Sequence, residues 1–345
     1  MSGGAVAGKD AQKSPMKHRI IHWKAIVSLR NAIELGSIVC ACIPFLVVRY
    51  LGAYRRGFFC SDTDIMYPYK DDTVPFSILA MTGCLVPLLV VFSGEFFRFT
   101  LSRSHYNDYE THYELCGLKI PAFLSSAVRI NALFAYGALI CVSVTDITKY
   151  SVGRLRPHFL PVCANDLDWA KIVCGNSTGN TYITDPFCPA AKSTDPAVLA
   201  RFEDSRLSFL SGHSSFSFYC AFFVIYYLET RLKWMNMRFF KAFFQSVVFM
   251  GAALCGASRV RDNKHHPTDV LAGSFLGFVV ATVVVFVVGD YFLDRRALRA
   301  KVRGYFKTTE NGKCGGDIEA AAAGRQYVDM DFIDSGKNSD PKMVA

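Results

Sequence analysis

Val270-Leu-Ala-Gly-Ser-Phe-Leu-Gly-Phe-Val-Val-Ala-Thr-Val-Val-Val-Phe-Val-Val-Gly-Asp-Tyr-Phe292 decides the fold class. The run carries a single charge, near its far end, and meets the roughly 20 apolar residues that a helix needs to cross a bilayer. Five more stretches approach that length: Ile33 to Leu51, Val74 to Phe97, Phe123 to Thr145, Leu210 to Leu228 and Phe239 to Gly256. The third and sixth are the cleanest. The fourth and fifth are weaker, because their ends carry Ser, Gly, His and Arg, which are too polar to face lipid. The pattern predicts an all-α membrane protein built as a six-transmembrane-helix bundle.

Composition agrees. Of 345 residues 51% are hydrophobic and only 19% charged, with a mean hydropathy of +0.22. That balance excludes a disordered chain and an ordinary soluble enzyme. The net charge of +9 does not indicate a nucleic-acid partner. The basic residues crowd into Lys9 to Lys24, Arg231 to Lys241 and Arg295 to Lys307, each beside an apolar run, as on the cytosolic side of a membrane protein. They form no groove-reading stripe.

No cleavable signal peptide is visible, so the first span is expected to insert the chain. Six spans then leave both termini cytosolic, with a cytosolic N-terminal segment (1–24), a membrane domain (25–294), and a basic juxtamembrane segment with a disordered tail (295–345). Loops 146–213 and 257–269 fall on the outer face. Asn176-Ser177-Thr178 in the first of them is a glycosylation sequon, usable only outside the cytosol. Of 12 cysteines, Cys60, Cys163, Cys174 and Cys188 lie in outer loops, where disulfides persist; sequence leaves all three pairings open.

Three polar strings share that outer face: Lys149 to Pro157, Leu207 to Ser215, and Ser258 to Asp269. They gather fixed cations, imidazoles and a carboxylate at one membrane depth, a set that suits a phosphate monoester. Arginine offers a planar fork to phosphate oxygens and lysine a point charge. Ser211 and Gly212 open a helical run whose first amides face an anion. His265 and Asp269 lie four apart and share a face if the helix has already begun, so that the acid orients the ring. His213, from another span, is placed to protonate a leaving alkoxide.

Spacing to Asp269 alone admits His265 or His266 as the key base. His266 and His158 are taken as wall residues. Arg154 and Arg261 have no place in these patterns and are expected to meet lipid headgroups. Glu34 and Glu95, at span ends, are expected to sit at the interface, and Asp146, one turn before Lys149, to steady it. Gly273 and Gly277 form a small-xxx-small pair suited to helix packing. A metal centre is not expected, since no further acids accompany the histidines and the nearby cations repel a divalent ion.

The strings resemble the signature of the type 2 phosphatidate phosphatase superfamily: Lys, six residues, Arg-Pro; Pro-Ser-Gly-His; then Ser-Arg, five residues, His, three residues, Asp. Lys149 with Arg156-Pro157, Ser211-Gly212-His213, and Ser258-Arg259 with His265 and Asp269 match it. Leu210 replaces the Pro, as in the animal lipid phosphate phosphatase branch. Arg56 to Cys60, Tyr67 to Lys70 and Gly153 to Phe159 extend the similarity, which covers about Lys24 to Asp294.

The resemblance implies metal-independent hydrolysis of lipid phosphate monoesters (phosphatidate, lysophosphatidate, sphingosine 1-phosphate, ceramide 1-phosphate) without a cofactor. His265 is implied as the nucleophile that becomes phosphohistidine, Asp269 as its orienting partner and His213 as general acid. Lys149, Arg156, Arg259, Ser211 and Gly212 are the implied phosphate cradle. A homo-oligomer in the plasma membrane is expected, with an endomembrane sharing the same topology, and the active site is extracellular or lumenal. The rivals are a non-catalytic lipid-phosphate binder of the same family and a six-span channel or receptor; no filter-like loop or arginine-studded helix supports the latter.

Overall fold

The computed structural model describes residues 19–20, 29–101, 113–115, 118–175, 181–232 and 238–289. Asn176, segment 295–345 and all of 1–24 except Arg19 and Ile20 lie outside these residues. The described chain is mostly helical. Its helices are α1 (Leu29–Leu51), α2 (Phe76–Leu101), α3 (Ala122–Val152), the short α4 (Phe159–Cys163), α5 (Trp169–Ile172) and α6 (Pro196–Asp204), then α7 (Gly212–Arg231), α8 (Arg238–Arg261) and α9 (Pro267–Val283). A π-helical turn, Val284–Val288, extends α9.

Among the described residues five strands of two or three residues also occur: β1 (Arg19–Ile20), β2 (Phe58–Phe59), β3 (Tyr113–Leu115), β4 (Leu118–Ile120) and β5 (Tyr182–Ile183). β3 lies between β1, parallel to it, and β4, antiparallel to it. β2 and β5 form a separate antiparallel pair with Phe59 opposite Tyr182. These aromatic and β-branched residues favour extended backbone.

Among the described residues, four helices are long and apolar enough to cross a membrane: α2, α3 from Phe123, α8, and α9 with its extension to Val288. The expected weakness of the fifth stretch shows in α8, the least apolar of the four, whose polar residues are confined largely to its ends and leave an apolar middle. α7 is not among the four. It is the hub of the bundle, packing on α9, α8, α3 and α2. A helix enclosed by protein can keep hydroxyls that lipid would not tolerate, provided they are bonded. Ser215 Oγ meets Thr145 Oγ1 at 2.8 Å, and Ser217 Oγ donates to the Ser214 carbonyl.

Gly273 and Gly277 seat α9 on α7, as the packing reading expected. A Cβ on Gly273 would fall 2.6 Å from the Ser211 carbonyl oxygen, and one on Gly277 would collide with that of Ser215. Aromatic contacts fill the bundle centre. Phe134 stacks on Tyr219 with centroids 5.5 Å apart, and the Tyr219 hydroxyl donates to the Phe134 carbonyl at 2.7 Å. Outward faces stay apolar and exposed, for example Leu89, Phe243, Leu254 and Phe275.

Glu95, near the end of α2, is fully buried, and Arg231 clamps it with Nε and Nη2, each at 3.0 Å. Arg231 also donates to Ser126 Oγ. This joins α2, α7 and α3 at one end of the bundle.

At the other end, residues between α1 and α2 and between α3 and α7 build a cap with its own core, including Phe58, Leu155, Phe159, Leu160 and Phe202. Of the three open pairings, the structure makes Cys60–Cys174 and Cys163–Cys188. Gly153 turns the chain from α3 into this cap at φ 55°. Its N–H closes on the Lys149 carbonyl, a helix stop that glycine adopts without Cβ strain.

Candidate active site

Helix alternation brings the end of α3, the start of α7, the end of α8 and the start of α9 together beneath the cap. Lys149 occupies the last turn of α3. Gly212 opens α7 so close to it that a Cβ there would lie 3.4 Å from Lys149 Nζ. Ser211 is the N-cap of α7, and its own N–H donates to the Asp269 carbonyl at 3.2 Å. The α7 start thus presents backbone amides beside an ammonium, an anion-binding arrangement.

His265 is buried, and its Nδ1 lies 2.7 Å from the Ser208 carbonyl oxygen. A carbonyl only accepts, so Nδ1 carries the proton and Nε2 keeps its lone pair. Burial, then the positive charges of Arg156 and Lys149, hold the ring well below the usual imidazole range. His265 is therefore neutral at neutral pH, as a nucleophile must be.

The direct bond expected between Asp269 and His265 is not made; Asp269 Oδ2 stands 4.0 Å from His265 Nδ1. The reason is local. α9 begins at Pro267, with His266 as N-cap in extended backbone and Asp269 at N3. The carboxylate folds back onto the His266 N–H at 3.1 Å and its Nδ1 at 3.1 Å, completing a capping box. It also accepts from Ser208 Oγ at 2.6 Å and from Arg154 Nη1 at 2.6 Å. Two expectations change together: His266 holds Asp269 instead of serving only as a wall, and Arg154 binds Asp269 and Thr268 Oγ1 instead of headgroups.

His158 remains a wall residue. Its Nδ1 meets the Asn263 carbonyl at 2.7 Å and its ring meets Tyr69 edge-on. Burial, then Arg156, pushes it down to about 4.

The cations are held by carboxylates that the motif reading passed over. Arg259, 1% exposed, donates to Asp72 at 2.7 Å and Asp262 at 3.1 Å. Its Nη1 lies 3.5 Å from His213 Nε2. Arg156 donates to Asp204 at 2.7 Å, while its buried Nε has no partner among the described residues. Lys264 sits 3.9 Å from the Tyr69 ring centroid, a cation–π seat. No spacing marks Asp72 or Asp204, which reach the arginines from the α1–α2 connection and from the end of α6. Arg261 is drawn away from the cluster to the rim of an apolar cavity.

That cavity, of about 730 Å³, opens between α2 and α8 with α7 as its floor, and Leu79, Gly83, Cys220, Val248 and Gly251 are among its walls. Both outer helices pack on α7 and have at most marginal contact with one another. Its lining reaches the polar cluster at several points, Val74 and Ser258 among them. The carbonyl of Val74 accepts from His213 Nε2 at 3.2 Å, and Ser258 Oγ accepts from Arg259. A cluster of cations and imidazoles thus adjoins an apolar cavity between two candidate membrane helices, an arrangement suited to a ligand with one anionic and one apolar end.

Residues 130–292 match the PAP2 superfamily. Over 284 residues the chain is 35% identical to phospholipid phosphatase 1 of Rattus norvegicus, covering 81% of this chain and 87% of that protein. Phospholipid phosphatase 2 of Rattus norvegicus is 35% identical over 268 residues, with 76% and 87% covered. Phospholipid phosphatase 1 of Mus musculus is 33% identical over 273 residues, with 78% and 88% covered. No solved structure matches. The chain belongs to the PAP2 superfamily, in the company of its phospholipid phosphatases.

Proposed function

We propose that this protein is a phosphatidate phosphatase, a lipid phosphate phosphohydrolase that works without a metal at the extracytosolic membrane face. The observation that carries this reading is His265: buried, neutral, with Nδ1 tied to a carbonyl and Nε2 free among Lys149 and Arg156. Its kinship with phospholipid phosphatases gives independent support.

In the proposed reaction, Nε2 of His265 attacks phosphorus while the bond from phosphorus to the lipid oxygen breaks. His213 gives its proton to the departing alkoxide, a state favoured by a phosphate dianion beside the ring. Water then attacks the phosphohistidine, returns a proton to His213, and the P–N bond breaks to release inorganic phosphate. Lys149, Arg156, Arg259 and the α7 amides at Ser211 and Gly212 hold the equatorial oxygens as charge develops. Asp269 positions the machinery.

The substrates are phosphatidate, lysophosphatidate, sphingosine 1-phosphate and ceramide 1-phosphate, entering sideways with a hydrocarbon chain in the cavity between α2 and α8. Six spans are formed by α1, α2, α3, α7, α8 and α9. Both termini are cytosolic, the basic clusters face the cytosol, and the membrane domain runs over 25–294. The cap is extracellular or lumenal, where Asn176 is glycosylated and the disulfides persist. The protein is a homo-oligomer of the plasma membrane, and an endomembrane would preserve the same sidedness.

The test is phosphate release from lysophosphatidate by purified wild-type protein and by His265→Ala and His213→Ala, with and without EDTA. The proposal requires that both variants lose turnover while remaining folded and that the chelator has no effect. Full turnover in either variant would remove that histidine from the mechanism, a wild type without turnover would favour a lipid-phosphate binder, and loss in EDTA would overturn the metal-free mechanism.

A further inference from the structure

Arg154, Ser208 and Asp269 come from three chain segments far apart in sequence and close on one another in a ring. The Arg154 carbonyl accepts from the Ser208 N–H at 2.9 Å. Arg154 Nη1 donates to Asp269 Oδ1 at 2.6 Å and to Thr268 Oγ1 at 2.8 Å. Ser208 Oγ donates to Asp269 Oδ2 at 2.6 Å. Each member is thereby fixed by the other two, and Ser208 and Asp269 are fully buried.

The ring's direct bond to His265 is the Ser208 carbonyl, which receives Nδ1–H at 2.7 Å. The Asp269 carboxylate lies beyond hydrogen-bond reach of that nitrogen at 4.0 Å. Its charge is also opposed by Arg154 in an ion pair, which cancels much of its direct field on the imidazole. What the carboxylate can do effectively is hold the Ser208 hydroxyl, and so the direction of the Ser208 carbonyl. That direction selects the tautomer with a lone pair on Nε2. It also stabilises the charge that appears on the ring when Nε2 bonds to phosphorus.

We propose that Ser208 and Arg154 are positioning residues for phosphoryl transfer and that Asp269 acts on His265 through Ser208, not by contact. The proposal deepens the phosphatase reading and rests on His265 being its nucleophile. Neither Arg154 nor Ser208 belongs to the residues matched by the three motifs. Arg154, with a side chain 30% exposed, tolerates substitution more readily than the buried pair.

The experiment measures kcat, KM and the pH profile of phosphate release from lysophosphatidate by the purified full chain and by Ser208→Ala, Asp269→Asn, their double variant, Arg154→Gln and Arg154→Lys. Loss of one charge-assisted bond at this point should lower kcat about tenfold or more, with KM little changed. The acid limb should also shift, as a merely structural defect would not make it do. The double variant should be no slower than Asp269→Asn alone, the mark of two residues acting in one chain of bonds. Arg154→Lys, which keeps a cation for Asp269, should recover most of what Arg154→Gln loses.

Losses in the double variant that equal the product of the single losses would show that Asp269 acts independently of Ser208 and would overturn the proposal. Wild-type kcat in Ser208→Ala would do the same. Should Ser208→Ala fail to fold, the two Arg154 variants decide alone, and equal rates in them count against the proposal. Turnover by His265→Ala, run in parallel, would mark failure of the underlying nucleophile assignment and not of the ring.

Discussion

At His265 the protein holds an imidazole in its neutral form by enclosing it and placing Arg156 and Lys149 nearby. A lowered ring pKa means that acid must go further before the proposed nucleophile is protonated. The acid limb of kcat/KM, corrected for ionisation of the substrate phosphate, should therefore lie below the ordinary imidazole value of about 6.5. Measuring that profile between weakly acid and neutral pH checks it; a limb at or above the ordinary value contradicts the geometry. His213 is the proposed general acid, and removing such a group typically costs about a hundred- to ten-thousandfold in rate. His213→Ala should lose that much on a lipid alkoxide and far less on a substrate whose leaving group needs no proton, such as a nitrophenyl phosphate. Equal losses on both would remove His213 from that role.

The motif residues were legible one by one because phosphate chemistry needs fixed cations and imidazoles at set spacings. What they touch was not. The Asp269–His265 pairing failed because it assumed a helix already running at His265, whereas Pro267 starts α9 and leaves His266 in extended backbone. The signal for the true arrangement was present: proline at the first helical position and an acid at the third indicate a capping box. Asp72 and Asp204 could not be read, since their partners are arginines 187 and 48 residues away.

Among elements, α7 was the hardest to read as a span because its burial by other helices, not its apolarity, makes it tolerable in the bundle. The cavity between α2 and α8 yields a prediction at this scale. A Cβ at Gly251 would meet no atom within 4 Å, so Gly251→Phe can fill part of the cavity without displacing the bundle. It should raise KM for long-chain lipid phosphates severalfold and leave a short-chain, water-soluble phosphate ester unaffected; equal effects on both would deny the cavity its role.

The cap depends on covalent ties. Cys60–Cys174 spans 114 residues of chain, and losing a native disulfide typically costs about 2–5 kcal/mol. Cys60→Ser with Cys174→Ser should lower the thermal midpoint, and an unchanged midpoint would show that the cap core suffices. At the opposite end, Glu95→Ala removes the buried carboxylate that Arg231 clamps from α7 and should lower the unfolding temperature, since breaking a buried ion pair from one side is destabilising.

For the whole molecule, the apolar runs made a membrane bundle legible, and the even alternation of helices explains why strings of sequence as far apart as Lys149 and Asp269 meet at one end. Which end faces the cytosol rests on charge: Arg231 and Arg238 flank the connection at one end, while the other end carries the disulfide-bonded cap.

Sidedness and chemistry are tested together by giving lysophosphatidate to the outside of intact cells that display either the wild-type chain or His265→Ala in equal amounts at the surface. The account predicts inorganic phosphate in the medium from the wild type and only background from the variant. Equal release from both, or release only after the cells are permeabilised, would contradict it.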